Sequence, residues 1–410
     1  MKFEFVDQKE RYNAKIKVVG IGGAGGNAIN NMISSNLRGV DFIVANTDCQ
    51  DLDRSACSYK IQLGPSVTMG LGAGADPDIG KLSCEESINE VRESVENSDM
   101  VFITAGMGGG TGTGASPVAA KECRESGALT VAVVTKPFNF EGEKRMKRAL
   151  EGIENLKQEV DSLIVIPNER LKSLGSKETS FRDLIARADE VLLQAVKGIS
   201  ELIISNGFIN LDFADIKRVM EQMGTAIMGM GNASGENRAT EAAQMAINSP
   251  LLEDISIGGA KGLLMNITGP SNMTMDEIDD ASNYIKGEVS SDAEIFWGVV
   301  FDDSLDDEVQ ITVIATGIEG EISRSYKESY TPDYSNVVKI RDVTPDEAEE
   351  TWTVKMNGES LDTPTFQRKS RGLPTGAEES EANESRKGVL GKFQLKDNLD
   401  YPTFLRTKAD

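Results

Sequence analysis

The stretch Ile103-Thr104-Ala105-Gly106-Met107-Gly108-Gly109-Gly110-Thr111-Gly112-Thr113-Gly114-Ala115-Ser116-Pro117 places six glycines within the nine residues 106–114. Upstream, Met100 to Ile103 is an apolar run that reads as a buried strand. Downstream, Pro117-Val118-Ala119-Ala120-Lys121 reads as a helix start with proline in its first turn. Inside a regular element each glycine would forfeit backbone entropy and packing. Between a strand and a helix the same residues acquire a use. Without Cβ atoms, successive backbone N–H groups can turn inward around an anion, and a helix N-terminus adds partial positive charge. Thr111 and Thr113 offer hydroxyl donors. The setting disfavours a flexible linker, which would not sit between a buried strand and a helix. The stretch reads as a phosphate loop. It is not of the Gly-x4-Gly-Lys-Ser/Thr type, because no lysine lies in or beside it. Backbone and a divalent cation would have to carry the charge.

Composition removes several classes. A formal charge of −23 argues against a nucleic-acid surface, which needs clustered Lys and Arg. Any phosphate ligand is therefore held locally against a repulsive field. Histidine is absent, which excludes Ser-His-Asp triads and His-containing metal sites. Cys49, Cys57, Cys84 and Cys123 lack Cys-x-x-Cys spacing and read as reduced, mostly buried residues of a cytosolic protein. No signal peptide and no apolar run near 18 residues is found, so no membrane insertion is expected.

Taken in order, residues 1–14 form a polar N-terminal extension. Lys15 to Val19 reads as a strand that ends in Gly20-Ile21-Gly22-Gly23-Ala24-Gly25-Gly26-Asn27, followed by a helix through Met32 and Ile33. Gly20-x-Gly22-x-x-Gly25 alone also fits a nicotinamide-dependent oxidoreductase. A second apolar run ends at Asn46-Thr47-Asp48, either ligand residues or a capped turn. Then come Gly70-Leu71-Gly72-Ala73-Gly74-Ala75-Asp76, a helix over roughly Ile79 to Asn97, and the opening loop. The strands Leu129–Val134 and Leu163–Ile166 follow, the first leading to Pro137 to Gly142 and the second to Pro167-Asn168. Strands apolar on both faces, alternating with helices, predict a doubly wound parallel sheet of the α/β class. Every candidate ligand residue falls just after a strand. A long helix over about Ser180 to Ser205 carries a wide apolar face. Further strands at Gly262–Thr268, Ile295–Phe301 and Val309–Thr316, with helices between, predict a smaller α+β second domain ending near Gly317. Beyond Glu319 apolar periodicity vanishes, which predicts a disordered linker. Within it, Leu361-Asp362-Thr363-Pro364-Thr365-Phe366-Gln367-Arg368 is echoed at the C-terminus by Leu399-Asp400-Tyr401-Pro402-Thr403-Phe404-Leu405-Arg406, with six of eight positions identical.

These segments together resemble the tubulin family, and their flanks are similar to its bacterial cell-division branch, FtsZ. The resemblance covers about residues 12–317 and the last dozen. It rests on Val19–Asn27, Ala45–Asp48, Gly70–Gly74, the central glycine loop, Lys136-Pro137-Phe138 with Glu141 and Arg145, Pro167-Asn168, and Asn210-Leu211-Asp212-Phe213-Ala214-Asp215. It implies a GTP-binding domain over 15–180, a central helix over 181–206, a C-terminal activation domain over 207–318, a disordered linker over 319–396 and a recognition peptide over 397–410. The implied cofactors are GTP or GDP with Mg²⁺. Gly22, Gly23, Asn27, Gly72, Ala73, Gly74, Gly108, Gly109, Gly110, Thr111 and Gly112 would line the phosphates, with Asn46 among the nucleotide contacts. Glu141 and Arg145 would approach the ribose and phosphate side. Asn168 and Asp189 would read the base, since a carboxylate accepts guanine's adjacent N1–H and N2–H₂ donors together. Two departures stand out. Ile185 occupies the position where relatives often stack a Phe on the base, and Ala75-Asp76 replaces a common Gly-Asn.

By spacing alone, Asp212 and Asp215 read as helix-capping carboxylates. The resemblance instead makes them, with Asn210, the catalytic loop that one subunit supplies to the nucleotide of its neighbour. It implies head-to-tail filaments and a ring at the division site in the cytoplasm. A filament that binds nucleotide without hydrolysing it stays open as an alternative. The terminal Leu399–Arg406 peptide would bind membrane tethers and division regulators, and the inner Leu361–Arg368 copy is a second candidate for the same partners.

Overall fold

The computed structural model describes residues 14–174, 180–204, 211–221, 224–252 and 257–318. The N-terminal extension, Asn210, the linker and both tail peptides lie outside the described residues. The elements run β1 (Ile16–Ile21), α1 (Gly22–Ser34), β2 (Val40–Asn46), α2 (Cys49–Arg54), β3 (Tyr59–Gln62), α3 (Pro65–Thr68), α4 (Pro77–Glu86), α5 (Ile88–Val95) and β4 (Met100–Gly106). Then follow α6 (Thr111–Glu125), β5 (Leu129–Lys136), α7 (Glu143–Lys157), β6 (Ser162–Pro167), α8 (Asn168–Leu171) and α9 (Phe181–Ile204). The rest comprises α10 (Phe213–Met220), β7 (Gly224–Ser234), α11 (Arg238–Ile247), β8 (Gly262–Gly269), α12 (Met275–Glu288), β9 (Glu294–Phe301) and β10 (Glu308–Ile318).

One ten-stranded sheet runs β3-β2-β1-β4-β5-β6-β7-β10-β8-β9. The strands from β3 to β7 are parallel, and β10 is antiparallel to β7 and β8. The second half joins the first through a short ladder, Ser162 to Ile164 against Gly224 to Ala226. Alternate residues of the parallel strands feed two cores. Val18, Phe102, Val131 and Ile164 face α1 and α9, while Val19, Ile103, Ala132 and Val134 face α6 and its neighbours. Helix α1 therefore leaves β1 on one face and α6 leaves β4 on the other. Between these adjacent strands lies the crevice where the order of an open sheet reverses.

Several boundaries differ from the sequence expectation. Pro117 lies inside α6, which begins at Thr111, so Thr111 to Gly114 form its first turn. The glycines there serve close packing: a Cβ on Gly112 would sit 2.6 Å from the Gly106 carbonyl oxygen. Likewise Gly22 to Asn27 belong to α1 and not to a loop before it. The expected helix over 79–97 is two helices that part at Ser87, whose Oγ turns away to the Gln62 carbonyl. Strand β7 was not anticipated at all. A Cβ on Gly229 or Gly231 would collide with the carbonyl of Ala246 or Ala242, so α11 lies directly on the strand where glycine replaces the expected apolar alternation.

Arg238 holds the second half of the sheet together. Its side chain is 6% exposed. Nε donates to Glu277 Oε1 at 2.7 Å, Nη1 to Asp307 Oδ1 at 2.7 Å and Nη2 to Asn272 Oδ1 at 3.0 Å. Glu277 also closes the capping box of α12 with Thr274. The Arg238 hydrogen bond keeps the Glu277 carboxyl below its ordinary range. That contribution to stability is complete above the ordinary Glu pKa and is lost as pH falls through the lowered one. Arg238→Ala should destabilise this half by about 1.5–3 kcal/mol, the usual effect of losing hydrogen bonds to charged groups, because Asp307 and part of Glu277 stay open to water once the guanidinium is gone. Urea unfolding followed at Trp297 measures it.

Candidate functional site

The carboxyl ends of the parallel strands carry the candidate residues. Gly22 adopts φ +74, a left-handed turn that lets α1 start directly off β1. A Cβ there would sit 3.0 Å from the Gly112 amide nitrogen, so the first turns of α1 and α6 meet across the crevice. Neither helix has a side-chain cap or an acidic residue in its first turn. Two sets of helix N–H groups thus converge with no side-chain cap of their own. Thr47, at the end of β2, shares a 2.6 Å hydrogen bond with Thr111 through their hydroxyls. The third glycine segment closes the cradle: Gly72 N donates to Thr47 O at 3.1 Å, and a Cβ on Gly110 would lie 2.8 Å from Ala73 Cβ.

The glycines divide by what surrounds them. Gly108 packs against the Arg145 backbone and side chain, and its N–H donates to Thr113 Oγ1 at 2.8 Å. Gly110 and Gly112 are confined by this chain's own atoms. At Gly109 and Gly74 a Cβ would meet nothing within 4 Å, and at Gly23 only Asp51 Oδ2 at 3.3 Å. Packing inside the chain does not require glycine at 109, where φ is not positive either. The space above its backbone stays open on the crevice side.

The two departures near this loop have structural consequences. Asp76 caps α4, its Oδ1 accepting from Asp78 N at 3.0 Å, which directs its charge into a helix end. Ala75 stands at φ +62, a left-handed conformation that L side chains rarely adopt. The Arg148 guanidinium donates to its carbonyl.

On the far side, Arg145 pairs with Glu141 at 3.1 Å, and Glu141 Oε1 accepts from Phe138 N at 2.8 Å. Asn46 is buried, its Oδ1 accepting from Asp48 N at 3.3 Å, while Asn27 is exposed on α1. Asn168 opens α8 buried, and its Oδ1 has no partner within the chain. Burial pushes the Asp189 carboxyl up to about 6. Asn168 follows β6, and Asp189 lies two turns into α9.

Asp212 and Asp215 are not brought to this crevice. Helix α9, 24 residues and about 36 Å long, crosses the sheet from Phe181 to Ile204. Its start touches Phe140, beyond the carboxyl end of β5. Its end packs Ile204 against Gly39, at the amino end of β2. Leu211 N then donates to Leu202 O at 3.3 Å, which leaves Asp212 at that opposite end. Asp212 makes no side-chain cap bond to α10 and is exposed, so the capping role expected from spacing is not realised there. Sequence reasoning also missed the Thr47–Thr111 link and an aromatic group at Phe138, Phe140 and Phe181. The first depends on a long-range contact, and the second on Phe181 reaching Phe140 from a distant part of the sequence.

Glycine-rich helix starts meeting on a parallel sheet, a long crossing helix and a second mixed half define the class of tubulin-like nucleotide-binding proteins. The GTPase domain of the Tubulin/FtsZ family matches residues 15–176, and the C-terminal domain of the FtsZ family matches residues 224–319. The chain belongs to the FtsZ family and carries its GTPase domain. It is similar to the cell division protein FtsZ of Rickettsia conorii, 55% identical over 313 residues, 76% of this chain and 69% of that one. FtsZ of a Wolbachia species is 52% identical over 323 residues, 76% of this chain and 81% of that one. An FtsZ dimer from M. jannaschii aligns at 44% identity with TM-score 0.73, covering 77% of this chain and 91% of that chain. The Gly20-x-Gly22-x-x-Gly25 match is thus one of three glycine segments of a GTPase and not a nicotinamide site.

Gly109→Ala should leave the melting temperature unchanged yet weaken GDP at least tenfold. Gly110→Ala should instead destabilise the fold by about 1–3 kcal/mol, as overpacking does. Calorimetric titration and thermal melts on both variants separate the two. Asp189 supplies a pH test. Its raised pKa favours the uncharged form, so this contribution to stability is complete below the ordinary Asp range and is lost as pH rises through about 6. A ligand that needs the carboxylate should bind more weakly as pH falls through about 6. Asp189→Asn should remove that component, leaving only the titration of the nucleotide's own phosphate.

Proposed function

We propose that the chain assembles head to tail and hydrolyses GTP at each junction. One subunit's glycine segments hold the nucleotide, and the next supplies Asp212 and Asp215. The observation that carries this is their separation by the length of α9, which leaves the carboxylates unable to serve the crevice of their own chain. The apolar surface supports it. Val67, Met69 and Leu71 are all exposed and flank the glycine segments. A rim of large apolar side chains around a polar crevice suits a face that another molecule covers.

In this reading Gly22, Gly23, Asn27, Asn46, Gly72, Ala73, Gly74 and Gly108 to Gly112 hold the phosphate side. Glu141 and Arg145 hold the ribose, and Asn168 and Asp189 read guanine. Phosphoryl transfer needs an in-line water and a stabilised leaving group more than it needs covalent help. The neighbour's Asp212 and Asp215 polarise the water, with Asn210 beside the phosphate. Convergent N–H groups of α1 and α6 offset charge on the leaving oxygens. Mg²⁺ bound with GTP would neutralise phosphate charge beside these N–H groups; among the described residues no cluster of three Cys, Asp or Glu side chains gathers to hold it without nucleotide.

Residues 15–180 then form the nucleotide domain and 207–318 the activating one. The filaments scaffold the ring at the division site in the cytoplasm. Leu399–Arg406 ties them to membrane tethers and regulators, and Leu361–Arg368 is a further candidate. No helix among the described residues is long and apolar enough to cross a membrane, which suits recruitment through partners.

Specific GTPase activity should rise with protein concentration and approach zero at high dilution. Asp212→Ala should lower it about a hundredfold, within the range of a lost general base. Mixing that variant with one disabled at Thr111 should restore part of it, because half the mixed junctions pair two intact faces. Activity linear in protein from the lowest dilution, with no recovery on mixing, would overturn the shared site.

A further inference from the structure

Three phenylalanines form a column from the core to the surface beside α9. Phe138 is 1% exposed, Phe140 57% and Phe181 61%. The rings of Phe138 and Phe140 stack with centroids 5.1 Å apart and planes 17° apart, and Phe181 meets Phe140 edge-on at 5.7 Å and 67°. Lys172 Nζ lies 5.4 Å from the Phe140 centroid. Its ammonium also pairs with Glu169 at 2.6 Å, and Glu169 Oε2 accepts from Asn139 N at 3.0 Å. The column therefore ties together the loop after β5, the α8 turn that begins with Asn168, and the first residue of α9.

Aromatic rings held in fixed mutual geometry but left largely exposed are unusual, because burial of both would be favourable. Their neighbours suggest what they are for. Phe140 immediately precedes Glu141, whose pair with Arg145 sits beside Gly108. Phe181 stands eight residues before Asp189, so the two share one side of α9 about 12 Å apart along its axis, with half-buried Ile185 between them. Asn168 presents a buried oxygen without a partner at the same junction. A planar purine whose polar edge reaches Asp189 needs an apolar face, and Ile185 offers only a branched aliphatic one.

We propose that Phe140 and Phe181 form the aromatic wall of the base notch, covering the sugar end of the purine that Ile185 leaves without a ring. The proposal rests on the reading of Asn168 and Asp189 as the base-recognising pair. A wall contributes by face contact with the π system and is tolerant of which purine lies against it, so it adds affinity while Asp189 supplies selectivity.

The test uses the full chain, titrated with GDP, IDP and inorganic tripolyphosphate. Phe140→Leu and Phe181→Leu should each weaken GDP and IDP fivefold or more and leave tripolyphosphate unchanged, while Phe181→Tyr should restore binding. Equal losses for GDP and tripolyphosphate, or no loss in the double Leu variant, would overturn the wall. Asp189→Ala decides the underlying reading separately. If it reduces GDP binding and the preference over IDP while the Leu variants bind normally, the base pair stands and the wall falls. If it changes neither, the base reading falls, and the contrast between GDP and tripolyphosphate in the Leu variants still decides the wall. Should a Leu variant melt early, Phe181→Trp reads the contact directly. GDP should quench the added indole emission, and an unquenched indole would overturn the proposal.

Discussion

The close approach of α1 and α6 is the constraint on which the site depends. Their first turns touch where Gly22 faces Gly112: a Cβ on Gly22 would sit 3.0 Å from the Gly112 amide nitrogen, and one on Gly112 would press to 2.6 Å from the Gly106 carbonyl oxygen at the end of β4. Because the helices leave adjacent strands toward opposite faces, their N-termini can meet only at the strand-order reversal between β1 and β4. The Thr47–Thr111 bond and the Gly72–Thr47 bond then fasten β2 and the third glycine segment to that meeting point. Sheet topology, the glycines and the convergence of N–H groups follow from one geometric requirement.

Helix α9 transmits that geometry across the molecule. Its buried positions include Val191, Leu192, Leu193, Ala195, Val196 and Ile199, so from Val191 onward it is packed on nearly every side. Its first residue joins the aromatic column and its last touches the start of β2. A helix so enclosed fixes the separation between Asp189 near one end and Asp212 beyond the other. It acts as a spacer as much as a core element.

The parallel half of the fold was legible because its strands are apolar on both faces and its ligand segments all follow strands. The wide apolar stripe of α9 gave its position to within a residue or so at each end. Reading failed where a local rule was overridden by contact. Pro117 resembles a helix start but sits mid-helix, since Thr111 to Gly114 become helical only against Gly106 and the α4 backbone. Strand β7 hides because Gly229 and Gly231 yield their side-chain space to α11. Of the candidate site, the glycine segments were visible as types in a pattern, whereas Asp189 entered only through the resemblance to the family. That Gly109 differs from Gly110 was not visible, because both are glycine and only the surroundings distinguish them. Asn210 and the tail peptides lie outside the described residues.

The cradle built from the first turns of α1 and α6 has a further consequence. Its positive character comes from peptide N–H dipoles and contains no lysine. A lysine can be acetylated, methylated or neutralised by a neighbour, and it draws a counterion atmosphere. Peptide dipoles offer no such handle: they do not titrate, and covalent modification of side chains leaves them in place. In a chain of net charge −23, a cradle of this kind would set anion capture by backbone geometry and leave it insensitive to enzymes that edit surface lysines.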